Sequence, residues 1–341
     1  MHLKSILHIQ LAFLLVFNFK VNSQSQANSL TKEQIHQVVD SLSHQLNRYY
    51  VFKNEAYKMS NFIKIKLNQK AYDTITNQNL FAKKLTSDVK SVFKDEHFHV
   101  DYDPQMAYEV SGEIEDVPAF VAEKLKQEQE KKFGYKKIEI LENGIGYLEL
   151  SYFSRLNDYS KAVAAASFNQ LKNCKALIID LRYGAGGSPE MVNYIMSHFF
   201  AKKTHVNDIY LRKENTTIKY VTSPDSSYSS FYLMPLYILV SHTTFSAAEA
   251  LTFEMQTFKR ATIVGEITRG GAHVVSFQPL GHGFVADVPF GRAISPLNKG
   301  NWEGKGIKPN IVCKADEALT IAIQKITEGL THQAIQKTQS K

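Results

Sequence analysis

The sequence predicts an α/β protein: a largely parallel sheet covered by helices on both faces, preceded by a small helical bundle. Two patterns carry this expectation. From Gly144 to Thr268, the β-rich apolar runs "GIGYLELSYF", "KALIIDLRY", "PLYILVSH" and "ATIVGEIT" alternate with the helix-like "YSKAVAAASFNQLKN", "SPEMVNYIMSHFF" and "SAAEALTFEMQTFK". Alternating strands and helices build right-handed βαβ units, and runs that stay apolar throughout belong to strands buried on both faces. From Ser29 to about Lys94 the apolar residues instead recur at spacings of three and four, the period of a helix face.

The first residues read as an export signal. "MHLK" supplies a basic start, "ILHIQLAFLLVFNF" is an apolar run too short to span a membrane comfortably, and "VNS" offers small residues before the polar "QSQANS". Cleavage is expected after Ser23, giving a signal peptide over 1–23; an uncleaved anchor is the alternative. No later apolar run approaches spanning length, so no stable membrane span is expected after cleavage and the protein is expected to be exported, periplasmic or secreted. The formal charge of +7 falls to about +5 without Lys4 and Lys20. The remaining lysines are dispersed, which argues against a nucleic-acid surface.

The helical domain is expected over 24–103. In "LTKEQIHQVVDSLSHQL" Ile35, Val38, Val39, Leu42 and Leu46 share one face, and "MSNFIKIKLN" and "NLFAKKLTSDVKSVF" continue the pattern. "DEHFHVDYDP" alternates like a strand. A charged connecting segment follows over 104–136, in which "EKLKQEQEKKF" reads as a solvated helix. The α/β core is expected over 137–330 and a polar tail over 331–341. The two cysteines, Cys174 and Cys313, sit beside strand-like runs; in an exported protein they either pair or stay as two buried thiols.

Two strand-to-helix junctions could carry chemistry. In "KALIIDLRYGAGGSPEM", Gly184, Gly186 and Gly187 permit a tight turn before a helix opened by Pro189 and Glu190. Such a turn can aim amide N–H groups at a developing negative charge, or simply reverse the chain. The lysine and Ser/Thr of a phosphate-binding loop are missing, so no nucleotide cofactor is expected. In "HTTFSAAEAL", Ser246 and Glu249 have the spacing of a capping box, yet a serine that opens a helix after a buried strand is also placed like a nucleophile. The Ala247 amide and the positive end of the helix would favour an oxyanion there. Cap and catalyst both stand at this point. Candidate bases are His97, with His99 nearby, and His242 and His273. No third ligand joins His97 and His99 by local spacing, so no metal is expected.

Taken together, "DEHFHV", "GYLELSYF", "ALIIDLRYGAGGSPE", "SHTTFSAAEA", "ATIVGEITRGGA" and "NWEGKGIKPNIV" resemble, in content and order, the tail-specific (carboxyl-terminal processing) serine protease family. The branch most similar is that of the bacterial relatives of interphotoreceptor retinoid-binding protein. The resemblance implies a crotonase/ClpP-like core, a serine peptidase acting through an acyl-enzyme, Ser246 as nucleophile, and Ala247 with Gly186 and Gly187 at the oxyanion hole. Many relatives use a lysine after "VGE". This chain has Thr268, Arg269, Gly270 and Gly271 there, and an arginine stays protonated and cannot act as a base.

What remains resembles the tricorn-like arrangement, which implies His97 as base and Glu303 as the supporting acid; for Glu303 a solvated turn residue is the alternative. The stretch between Pro104 and Ile138 has no room for the family's PDZ domain, which points to oligopeptides or unfolded proteins as substrates. A binding protein for a retinoid-like or fatty-acid ligand on the same fold is the competing expectation, motivated by the missing lysine.

Overall fold

The computed structural model describes residues 29–112 and 118–339, so the expected signal segment lies outside the described residues. In chain order the helices are α1 (Lys32–Tyr49), α2 (Lys53–Asn68), α3 (Gln78–Val92), α4 (Pro104–Glu109), α5 (Pro118–Glu130), α6 (Asp158–Leu171), α7 (Pro189–Ser197), α8 (Ala247–Thr257) and α9 (Ala318–Gln339). The strands are β1 (His99–Tyr102), β2 (Tyr135–Leu141), β3 (Ile145–Leu150), β4 (Ala176–Asp180), β5 (His205–Leu211), β6 (Thr216–Val221), β7 (Leu236–Val240), β8 (Thr262–Gly265), β9 (His273–Gly281), β10 (Phe284–Ile294) and β11 (Ile311–Val312). Two compact units result, each drawn from more than one stretch. One comprises Met1–Val117, Leu211–Thr216 and His273–Arg292, and the other Pro118–Tyr210, Thr217–Ala272 and Ala293–Lys341.

In the first unit the helical face foreseen for α1 is buried: Ile35, Val38, Val39, Leu42 and Leu46. Thr31 opens the helix with a full capping box, its Oγ accepting from the Gln34 N–H at 3.2 Å and the Gln34 Oε1 accepting from the Thr31 N–H at 3.0 Å. The C-terminal carbonyls are met by Arg212, which donates to Tyr50 O at 2.6 Å and Asn47 O at 2.9 Å. A guanidinium suits that end of the helix dipole. β1 pairs antiparallel with β10, and β10 with β9.

The second unit contains the expected sheet, in the order β11-β8-β7-β4-β3-β2. All neighbours are parallel except β2 and β3. That antiparallel pair turns at Asn143 (φ 63°) and Gly144 (φ 74°). The left-handed backbone of a tight hairpin explains the Asn-Gly dipeptide there. Every residue of β4 is buried, as the apolar run Ala176–Ile179 requires, and the closing Asp180 is paired with Arg182 at 2.6 Å. On one face Ile145, Tyr147, Ile178, Leu239 and Val264 pack against Ala318, Ala322 and Ile326 of α9, three positions four residues apart. α9 continues to Gln339, into the segment read as a polar tail, and the stretch read as a connector carries α4 and α5. Both stretches are helical despite their polar composition. No PDZ-like domain occurs among the described residues.

Cys174 precedes the first residue of β4, while Cys313 follows the last residue of β11. Because these strands run parallel, the two thiols sit at opposite edges of the sheet, roughly 25 Å apart along the strand direction at about 3.3 Å per residue. That distance rules out a bond between them within one chain, and both are free.

Candidate active site

The two junctions singled out in the sequence are laced together. Between β7 and α8, the Phe245 N–H donates to Gly184 O at 3.0 Å. Thr244 Oγ1 donates to Leu181 O and Thr243 Oγ1 to Arg182 O, each at 2.8 Å, and the Ser241 hydroxyl also donates to Arg182 O. Short hydroxyl side chains in "SHTT" therefore bind the loop after β7 to the turn after β4.

Ser246 follows with φ 55° and ψ −116°. The chain's other helix-opening residues Thr31, Asn77, Asn157 and Ser188 all have negative φ and extended ψ. A non-glycine residue at such a φ stores about 1–3 kcal/mol of strain and persists only where its surroundings enforce it. The sharp strand-to-helix elbow is the geometry that lifts a nucleophile above a sheet. This backbone separates Ser246 from the chain's ordinary caps.

Glu249 does the enforcing. Its carboxylate is fully buried and accepts four hydrogen bonds: from Ser246 N at 3.0 Å, Gly271 N at 2.8 Å, Gly270 N at 2.7 Å and Thr268 Oγ1 at 2.5 Å. Burial pushes the Glu249 carboxyl up from its ordinary range, and these donors pull it back. The side chain thus staples the elbow to the "TRGGA" turn. Arg269 lies in that turn with its guanidinium 4.5 Å from the centre of the Phe245 ring.

The glycine turn comes close to the elbow. A Cβ added at Gly186 would stand 3.3 Å from both Cβ and Oγ of Ser246. Phe153 engages the residues on either side of Gly187: its N–H donates to Gly186 O at 3.1 Å, and its carbonyl accepts from Ser188 N at 2.8 Å. The alternation of an extended segment then directs the Gly187 N–H away from Phe153. Ala247 contributes a first-turn amide, a position with no acceptor inside its own helix.

Glu303 lies on a loop that clasps the "TRGGA" turn. Its Oε2 accepts from Ala272 N at 2.6 Å, Trp302 Nε1 donates to Gly271 O at 2.7 Å, and Gly304 N donates to Gly270 O at 2.9 Å. Gly306 (φ 69°) passes so near that a Cβ there would lie 2.1 Å from Thr268 O. Glu303 is half-buried, unlike a freely solvated turn residue.

His97 belongs to the other unit, in the turn that precedes β1 and outside the strand itself. It is buried, and its N–H donates to Asp95 Oδ1 at 2.9 Å. Asp95 Oδ2 accepts from Tyr50 Oη and from His273 Nδ1, both at 2.8 Å. Burial opposes the charge on Asp95 most strongly, but the His273 bond and charge, the charge of His97 and the Tyr50 bond together hold its carboxyl below the usual range. His99 Nε2 instead approaches Glu96 O at 3.1 Å and Lys90 Nζ at 3.4 Å. The structure thus brings Ser246, Gly186 and Ala247 together in one unit with Glu303 on the clasping loop, and places His97 in the other. Sequence reasoning assigned no role to Asp95 and left His273 unpartnered. Only the two-residue spacing of Asp95 from His97, that of a side-chain-capped turn, hinted at the first.

Residues 144–313 match peptidase family S41, and residues 25–135 match the N-terminal domain of these peptidases in eukaryotic IRBP. The chain belongs to peptidase family S41. The carboxy-terminal processing protease CtpB of Bacillus subtilis is 25% identical over 191 residues, 55% of this chain and 38% of that protein. The chloroplastic carboxyl-terminal-processing peptidase 2 of Arabidopsis thaliana is 29% identical over 155 residues, 45% of this S41 chain and 29% of its own length. The chain therefore spans well under half the length of these relatives. Two solved structures share the fold. A candidate peptidase of Parabacteroides merdae superimposes with TM-score 0.60 at 20% identity, over 85% of this chain and 96% of that one. The tricorn protease superimposes with TM-score 0.56 at 12% identity, over 88% and 37% respectively.

Proposed function

We propose that this S41 chain is an exported serine peptidase that hydrolyses peptide bonds in oligopeptides or unfolded proteins. The observation that carries the proposal is the backbone of Ser246, held at positive φ against the glycine turn by the buried Glu249. Ser246 Oγ attacks the peptide carbonyl while His97 takes its proton. The amides of Ala247 and Gly187, or Gly186, stabilise the oxyanion. His97 then protonates the departing amine, and a water activated by the same imidazole releases the acyl group from Ser246. Glu303 supports the base. Export rests on the leader-like first 23 residues, and the preference for flexible substrates on the lack of a PDZ-like domain among the described residues.

Purified protein and Ser246→Ala, compared on a peptide library and with a fluorophosphonate probe, test this. Hydrolysis and labelling are expected only with Ser246 present; equal rates would overturn the assignment. The match of residues 25–135 to the IRBP-type domain favours a second reading, a binder of retinoid-like or fatty-acid ligands. Copurified lipid without labelling is its signature.

A further inference from the structure

Asp95 is where three separate segments of one unit converge. Tyr50 follows directly on α1 as its C-terminal cap, His273 begins β9, and His97 lies in the turn that leads into β1. Each sends a donor to the same carboxylate. Both the Asp95 carboxylate and the His273 imidazole are 1% exposed. Isolated in an apolar interior, such a charge would be strongly destabilising; three donors make it tolerable. Because Asp95 is ionised, His273 carries its proton on Nδ1, which fixes the tautomer and the plane of that ring.

The link to His97 is local and directional. A side-chain oxygen that accepts from the N–H two residues on closes a tight turn, which the Phe98 N–H to Asp95 O bond at 3.3 Å reinforces. That turn sets the path by which His97 enters β1. The far side of the carboxylate is fixed in turn: His273 is paired with Arg292 across the β9–β10 ladder, and its ring meets Phe52 edge-on at 5.5 Å. Tyr50 is set by edge contacts with Phe52 and Phe93. We infer that Asp95 and His273 are positioning residues for His97, transmitting the rigidity of the sheet to the turn that presents the imidazole. This rests on His97 serving Ser246 as base. A pair that only stabilised the core would lower the melting temperature and leave turnover alone.

The test compares wild type with Asp95→Asn, Asp95→Ala and His273→Gln, each checked for folding by circular dichroism. Asp95→Ala and His273→Gln are expected to lower kcat about 10²-fold, the scale of an ångström-sized misplacement, with KM within about threefold. Asp95→Asn retains an acceptor for the His97 N–H and is expected to recover about a tenth of wild-type kcat. Ser246 labelling by fluorophosphonate should slow in the same order. A folded Asp95→Ala with wild-type kcat overturns the inference; if that variant does not fold, a wild-type kcat in His273→Gln overturns it instead. Histidine-selective 15N NMR reads the positioning without activity: Asp95→Asn should remove the Nδ1-protonated signature of His273 and shift the His97 amide. If wild type neither cleaves nor labels, the peptidase proposal fails and these resonances alone decide, with unchanged His97 and His273 signals counting against the pair.

Discussion

Replacing Glu249 tests how the elbow is held. In Glu249→Gln the amide oxygen retains the bonds at one position, while the amide nitrogen confronts either Ser246 N and Gly271 N or, with the Thr268 hydroxyl turned to accept from it, Gly270 N alone. The second orientation is the less costly: one hydrogen bond to a charged group is lost, about 1.5–3 kcal/mol, and the others weaken, against a smaller desolvation cost for the neutral side chain; a net loss of about 2 kcal/mol follows. That is a large share of the roughly 5–15 kcal/mol that keeps a domain folded. Urea unfolding reads it as a lower midpoint at unchanged slope. Activity should fall as well, because Ser246 at φ 55° stores about 1–3 kcal/mol that this staple helps to oppose, and a relaxed elbow turns the hydroxyl aside. At least a tenfold drop in kcat/KM is expected, about 1.4 kcal/mol in the barrier. A Gln variant with wild-type midpoint and wild-type kcat/KM would refute the staple.

Two further outcomes follow from the same unit. Gly186→Ala places a Cβ 3.3 Å from Ser246 Oγ and is expected to lower kcat/KM about tenfold or more while the melting temperature changes little, a split that peptide kinetics with calorimetry will show. Glu254, buried and bonded to Ser295 Oγ at 3.0 Å, is pushed up to about 8 by burial, with the charge of Asp208 adding to it. The native state therefore binds more protons than the unfolded chain between the ordinary glutamate range and pH 8. Glu254's contribution is complete below that range and is lost as pH rises through 8. Wild type should lose several kcal/mol of stability from pH 5 to pH 9, and Glu254→Gln should flatten that slope in urea titrations; an unaltered slope would contradict the assignment.

The sheet was legible because β7 is apolar along its whole length and β4 up to Ile179, a pattern that double burial rewards. The elbow was legible as a place, since a buried strand runs straight into a capping-box serine. Its conformation was not, because φ at Ser246 is imposed by bonds from Glu249, which in turn holds residues some twenty positions onward. Asp95 and His273 lie 178 positions apart, and no local period relates them. The Asn143-Gly144 turn lies inside the expected core, but the charged residues of "YKKIEIL" ahead of it kept β2 from being read as a strand, so the hairpin went unread. Polar content likewise disguised the last turns of α9.

The division of the chain into interleaved units has a practical corollary. β1 derives its pairing from β10, some 180 residues downstream, and Val51 donates to Pro289 O at 2.8 Å. A polypeptide ending at residue 135, where the first family match stops, would leave β1 with a bare edge and Asp95 without His273. No single proteolytic cut yields both units whole, and grafting the leading segment onto another S41 core would require carrying residues 211–216 and 273–292 along with it. The gap between residues 135 and 144 is a seam in kinship between sequences, and the polypeptide does not come apart there.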